Sequence, residues 1–148
     1  MGVIMFIKQL SVFVENKQGA LSKITSLLSD SGVNMRAVSI ADTQDFGILR
    51  VIVDDIDKAA GALKLNNVIV KVNNVIGVEL NDKPGALAYV LDILTAGGVN
   101  VEYMYAFVTP GNRDSAYLVL RARHNDKAET ILAQNNIKML SEDDIKNI

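Results

Sequence analysis

Two periodicities of apolar residues succeed one another along this chain, and they do so in the same order in its two halves. Residues 10–14 are mostly apolar, with β-branched Val12 and Val14, which predicts a strand ending at a polar turn around Asn16. From Leu21 the spacing changes. Leu21, Ile24, Leu27 and Leu28 recur at helical intervals, Ser26 and Asp30 fall on the other side, and Gly32 supplies the stop. Two further strands are predicted at 34–41 and 46–53, joined by a polar turn over 42–45. Asp54 or Asp55 then caps a second helix carrying Ile56, Ala59, Ala60 and Leu63, and 68–72 closes the unit as a strand, giving the order βαββαβ.

The second half runs the same course. Strands are predicted at 75–80, 100–109, 115–123 and 137–140, with helices at 85–96 and 126–135, and Ser141 with Asp144 has the spacing of a capping box for a short terminal helix. The halves are copies. Adding 66 takes Gly19 to Gly85, Leu21 to Leu87, Gly32 to Gly98 and Asn34 to Asn100; after that the offset is 69, taking Leu49 to Leu118, Asp57 to Asp126 and Asn66, Asn67 to Asn135, Asn136. The three extra residues fall around Pro110, Gly111 and Asn112, in a hairpin where insertion is tolerated.

Right-handed crossovers applied to βαββαβ give an α+β fold of two ferredoxin-like units, each a four-stranded antiparallel sheet with both helices on one face. The expected domains are 1–72 and 73–148, the second with a short C-terminal helix. In the third strands, Leu49, Val51, Val53 and their counterparts Leu118, Leu120, Ala122 form the face toward the helices. Ile48, Arg50, Ile52 and Tyr117, Val119, Arg121 form the opposite face, too apolar to be left wholly in water, so the copies are expected to join edge to edge or face to face and the product to dimerise.

Charge narrows the partners. The net charge of −2 comes from 15 basic and 17 acidic residues spread along the chain, with no basic block to neutralise phosphates, which argues against nucleic acid. With no cysteine, disulfides, thiolate nucleophiles and sulfur-ligated metals are excluded. The apolar run 3–7 is too short for a signal-peptide core or a membrane span, and Phe6 stands where a myristoylation signal needs Ser or Thr; the expectation is a cytoplasmic protein with no membrane partner.

Catalytic and metal-binding readings find little to stand on. His124 sits alone at a helix start, and the acidic groups Asp54, Asp55, Asp57 and Glu142, Asp143, Asp144 stand at helix N-termini, where negative charge suits the helix dipole. Gly97 and Gly98 end a helix and belong to no phosphate-binding loop, while Tyr103, Tyr105 and Phe107 lack the context of an RNA-binding motif. No catalytic residue, metal or cofactor is expected. What remains is the doubled turn. A glycine between strand and helix lets a ligand approach the backbone, and the amides of the first helical turn can hold a carboxylate. Asp82 and Asn16 can accept from an ammonium group, with Asn34 and Asn100 offering donor and acceptor. These are the parts needed to grip a free amino acid; they are equally the parts of an Asx turn that only starts a helix.

Strand, Asp82, Lys83, Pro84, Gly85, helix, then Gly98, Val99, Asn100 and a second strand resembles the ACT domain, a regulatory module that usually binds amino acids. The resemblance covers about residues 5–72 and 73–140, is closest to stand-alone tandem ACT proteins and more loosely extends to the regulatory subunit of acetolactate synthase. It implies a non-catalytic regulatory protein whose partners are a small amino acid, a second copy in a homodimer, and an enzyme or regulator of amino-acid metabolism. It also implies paired effector sites, each between the turn of one unit and the Gly-Val-Asn strand of a neighbouring one. Carried over, the site residues are Asp82, Pro84, Gly85, Ala86, Leu87 and Asn100 in the second copy, and Asn16, Gly19, Ala20, Leu21 and Asn34 in the first. Gln18 replaces the expected proline, leaving the first turn less pre-organised. Arg36 and Glu102 are equivalent and opposite in charge, and a meeting of the two across the pseudo-twofold would serve as a register device at best. Two rivals stand beside this reading: an interaction module whose turns hold nothing, and an acylphosphatase-like enzyme, which would need an arginine that neither turn contains.

Overall fold

The computed structural model describes residues 5–42, 45–109 and 114–148. They form two compact units, Lys8–Asn73 and Asn74–Ile148, the latter including residues 5–7, whereas the sequence assigned those opening residues to the first domain. In the first unit β1 (Ile7–Glu15) is followed by α1 (Ala20–Asp30), β2 (Met35–Asp42), β3 (Phe46–Val53), α2 (Ile56–Leu65) and the beginning of β4 (Val70–Asn81). In the second unit the remainder of β4 is followed by α3 (Ala86–Ala96), β5 (Val101–Ala106), β6 (Ser115–Ala122), α4 (Asn125–Gln134), β7 (Lys138–Leu140) and α5 (Glu142–Asn147). The turn at 42–45 and the inserted hairpin at 110–112 lie partly or wholly outside the described residues.

Each unit is a ferredoxin-like sandwich. The first sheet runs β2-β3-β1, with the Phe13 amide donating to the Ile69 carbonyl at 3.0 Å to bring the start of β4 alongside β1. The second runs β5-β6-β4-β7. The pairs β1–β3 and β4–β6 keep equivalent registers: Phe13 faces Ile48 in one and Glu79 faces Tyr117 in the other. The helices α1 and α2, and likewise α3 and α4, lie together on one face.

Burial follows the alternation. Leu10, Val12, Val14, Leu49, Val51 and Val53 meet Ile24, Leu28, Ala59 and Leu63 in the first core; Ile76, Val78, Leu80, Leu120 and Ala122 meet Val90, Leu94, Ala128 and Leu132 in the second. Leu21 departs from expectation. It begins the helical stripe but is 40% exposed, in the first turn of α1. Helix starts are capped as the sequence suggested: Asp55 accepts from the Lys58 amide at 3.1 Å, and Ser141 and Asp144 form a complete capping box. Asp54 instead accepts from the Asn34 amide at 3.0 Å.

Strands 68–72 and 75–80, predicted as separate, are the single strand β4 through Asn73 and Asn74. Those asparagines are held by tertiary partners: Asn73 Oδ1 accepts from the Ser11 hydroxyl at 2.8 Å, and the Asn74 carbonyl accepts from Asn125 Nδ2 at 2.9 Å. The second strands also begin later than read, at Met35 and Val101, each with a register shift within its first three residues, at Arg36 and Glu102. Glu102 pairs with Arg121 on the adjacent strand, at 3.5 Å.

In the second unit the sheet face away from α3 and α4 is not bare. α5 flanks a groove with Glu79, Tyr117, Lys138 and Leu140, and Ile145 of α5 is buried. Phe107 meets Tyr117 edge to face at 5.8 Å. Gly77 permits this closure, since a Cβ there would stand 3.0 Å from Leu140 Cβ and 3.1 Å from Ile7 Cδ1. Among the described residues no helix is long and apolar enough to cross a membrane.

Leu28 and Leu94, equivalent and fully buried, provide a test of the two cores. Truncating either to alanine is expected to cost about 2–5 kcal/mol in chemical denaturation, and the two losses should add because the clusters share no residue. A loss well below that range at either position would contradict the packing described.

Candidate functional site: the two strand-to-helix turns

Both turns are built identically from backbone geometry. Gly19 has φ 84° and ψ −10°, Gly85 φ 88° and ψ −12°, a left-handed conformation that any side chain would strain. In the first turn the Lys17 amide donates to the Glu15 carbonyl at 2.9 Å, Ala20 to Lys17 at 3.2 Å and Lys23 to Gly19 at 3.0 Å. In the second, Lys83 donates to Asn81 at 2.9 Å, Ala86 to Lys83 at 3.3 Å and Tyr89 to Gly85 at 2.9 Å. The following amides, Leu21 and Ser22 in one turn and Leu87 and Ala88 in the other, have no partner among the described residues. Neither helix has an acidic residue in its first turn or a side-chain cap, so the positive end of each dipole is left open.

The turns wall two equivalent clefts. In the second unit Lys83, Pro84, Gly85, Ala86 and Tyr89 face Asn135, Asn136 and Lys138 across about 890 Å³. In the first, Lys17, Gln18, Gly19, Ala20 and Lys23 face Asn66, Asn67 and Ile69 across about 460 Å³, with Phe13 and Phe46 also lining the space. Asn67 and Asn136 take left-handed torsions, φ 61° and 59°, at the corners that end α2 and α4. These asparagine corners are what reading for function missed. Their duplication was visible as the pairs Asn66, Asn67 and Asn135, Asn136, but nothing in the spacing said that they face the turns.

The electrostatics of the two clefts differ. Lys138 bonds Glu79 at 2.9 Å, and that hydrogen bond with the carboxylate's charge raises the Lys138 pKa above its ordinary value. The equivalent positions in the first unit are the uncharged Ile69 and Phe13. There the ion pair is Glu15 with Lys17, at 3.0 Å within the turn itself.

Asn16, Gly19 and Leu21 line a smaller pocket of about 200 Å³ with Ser22, Ile40, Asp42 and Gly47. Asp82, Leu87, Asn34 and Asn100 line none of these three clefts. Asn34 and Asn100 are exposed at the far ends of α1 and α3. Each helix has eleven residues and so rises about 16 Å. A turn and its own unit's asparagine therefore stand too far apart to grip one small molecule. Among the described residues no group of three or more His, Asp or Glu side chains is placed to hold a metal ion.

Residues 5–148 match the family model of the ACT domain pair. Among solved structures, protein BT0572 from Bacteroides thetaiotaomicron is 42% identical, covers 97% of this chain and 98% of its own, and superimposes with a TM-score of 0.90. The ligand-free regulatory subunit of aspartate kinase from Thermus thermophilus shares the fold at 14% identity, with a TM-score of 0.60 over 88% of this chain and 93% of that one. Among curated proteins, the acetolactate synthase small subunit of Buchnera aphidicola subsp. Baizongia pistaciae is 38% identical over 42 residues. That match takes in 28% of this chain and spans only 26% of the relative's length.

The turn geometry can be tested without a ligand. Nothing lies within 4 Å of a Cβ placed on Gly85, so Gly85→Ala should cost about 1–2 kcal/mol from torsional strain alone. Gln18→Pro copies Pro84 into a position that already follows the same lysine, and should stabilise by about 0.4–1 kcal/mol by restricting the unfolded chain. Denaturant unfolding reads both, and destabilisation by the proline would mean that the turns are not equivalent.

Proposed function

The chain belongs to the family of ACT domain pairs, and from that membership we propose that it is a regulatory protein that binds a small amino acid and has no catalytic activity of its own. The observation that carries this reading is the duplicated turn, whose first-turn amides are open and whose helix carries no acid or side-chain cap to satisfy them. An α-carboxylate is the ligand group that such amides favour. Asp82 and Asn16 supply acceptors for the ammonium group, and Pro84, Gly85, Ala86 and Leu87, or Gly19, Ala20 and Leu21, line the approach.

Because α1 and α3 separate each turn from its own asparagine by a helix length, Asn34 or Asn100 reaches a ligand only from a neighbouring unit, and a homodimer is part of the proposal. The stretch shared with an acetolactate synthase small subunit supports an enzyme as the second partner, with this chain as the subunit that reports effector concentration. A cytoplasmic location suits that role.

A thermal-shift panel of the twenty amino acids tests the proposal. An effector supplied at about 100 times its dissociation constant should stabilise the chain by roughly 2.7 kcal/mol. Asn100→Ala should weaken that response while leaving the unliganded melting temperature unchanged. If no amino acid at millimolar concentration shifts the transition, the turns hold nothing and the chain is an assembly module.

A further inference from the structure

The clefts walled by the two turns are lined at equivalent positions, and their floors differ in kind. In the second, Glu79 and Lys138 pair at 2.9 Å across adjacent strands, with Ser115 also lining the space, so the charges of that floor already satisfy each other. In the first, the equivalent places hold Phe13, Ile69 and Phe46, which are 44%, 68% and 53% exposed. Apolar surface left open inside a cleft is covered favourably by another apolar group. The rims differ as well. Lys17 and Lys23 line the first cleft, with Glu15 as its one acid among the described residues. Glu15 holds Lys17 at 3.0 Å, while Lys23 makes no ion pair among the described residues, so one positive charge is left over. The counterpart of Lys23 in the second cleft is Tyr89.

We propose that the first cleft is a binding site for a small organic acid with an aromatic or branched apolar tail, the tail lying against Phe13, Phe46 and Ile69 and the carboxylate reaching Lys23. The cleft's volume of about 460 Å³ falls within the range of about 300–1,000 Å³ that suits such a ligand. The charge selects the head group: Glu15 is engaged by Lys17, and an amine would meet the unpaired Lys23 instead. The second cleft lacks both the apolar floor and the extra lysine, and does not take this ligand. Every residue of the site belongs to the unit Lys8–Asn73, so no second unit has to complete it. Leu21 and Ser22, whose amides are open, line the smaller pocket beside Asn16 instead. The site is therefore separate from the one proposed for a free amino acid, and the two readings stand or fall independently.

Isothermal titration of the full chain with 3-phenylpropionate tests this. One molecule is expected to bind per chain, while acetate, which lacks the tail, and 3-phenylpropylamine, which reverses the charge of the head, should give no saturable signal. Phe13→Glu with Ile69→Lys copies the second unit's floor onto the same framework, so folding should survive, as a melting curve can check, and the dissociation constant should rise about tenfold or more. Lys23→Tyr, copying Tyr89 at an exposed position, should weaken the acid several-fold and flatten the salt dependence of its binding. Asn100→Ala should leave the titration unchanged, which keeps its outcome distinct from that of the amino-acid panel. No saturable binding of the acid at millimolar concentration, equal binding of the amine, or a titration unaltered by either the floor variant or Lys23→Tyr would each overturn the proposal.

Discussion

At the helix-starting end of both units the chain depends on one backbone torsion. A φ near +85° at Gly19 and Gly85 turns the strand into the helix within a few residues. It does so without using a side chain as a cap, because the turn's own carbonyls at Glu15, Lys17 and Gly19, or Asn81, Lys83 and Gly85, absorb the amides they can reach. The amides just beyond stay open. A conventional Ser or Asp cap would have satisfied amides at that end of the helix. α2 and α5 start with such caps, at Asp55 and Ser141, so the same chain uses both solutions and leaves the open one at the duplicated turns.

Much of this was legible in the sequence. Offsets of 66 and 69 located the elements of the second unit other than α5 from the first, and alternation in the third strands identified the core residues Leu49, Val51, Leu120 and Ala122. The misreadings share a cause, which is that a partner distant in sequence outweighs a local preference. The predicted break between 68–72 and 75–80 is bridged at Asn73 and Asn74, whose bonds to Ser11 and Asn125 come from 62 and 51 residues away. The opposite walls of the clefts, Asn66 and Asn67 or Asn135 and Asn136, went unassigned to a site because nothing local ties the end of one helix to the start of another. Alternation likewise says which face Phe13 occupies but not whether that face is covered.

Duplication also sets a control inside the molecule. Where two copies keep the same residue under the same geometry, as with Gly19 and Gly85, the backbone accounts for it. Where registers match but chemistry differs, as with Phe13 against Glu79, the fold does not demand the difference. A ferredoxin-like unit tolerates a charged pair at that place, since the second unit has one at 2.9 Å. The substitution instead changes the lining of the cleft, which is apolar at Phe13, Phe46 and Ile69 in the first unit and polar at Glu79, Ser115 and Lys138 in the second.

Under the proposed function, the helix-length separation within each unit constrains how a ligand can act. If a ligand needs a turn from one unit and an asparagine from another, its affinity depends on whether those units are held together. Reciprocally, the ligand must strengthen whatever contact brings them together, by the same factor. A ligand gripped by one turn alone would leave assembly unchanged however tightly it bound, because it would not distinguish the assembled from the separate state. Under the proposed function, assembly would then be the output of ligand binding, because within one unit the element between Gly85 and Asn100 is α3, a packed helix with Val90 and Leu94 in the core.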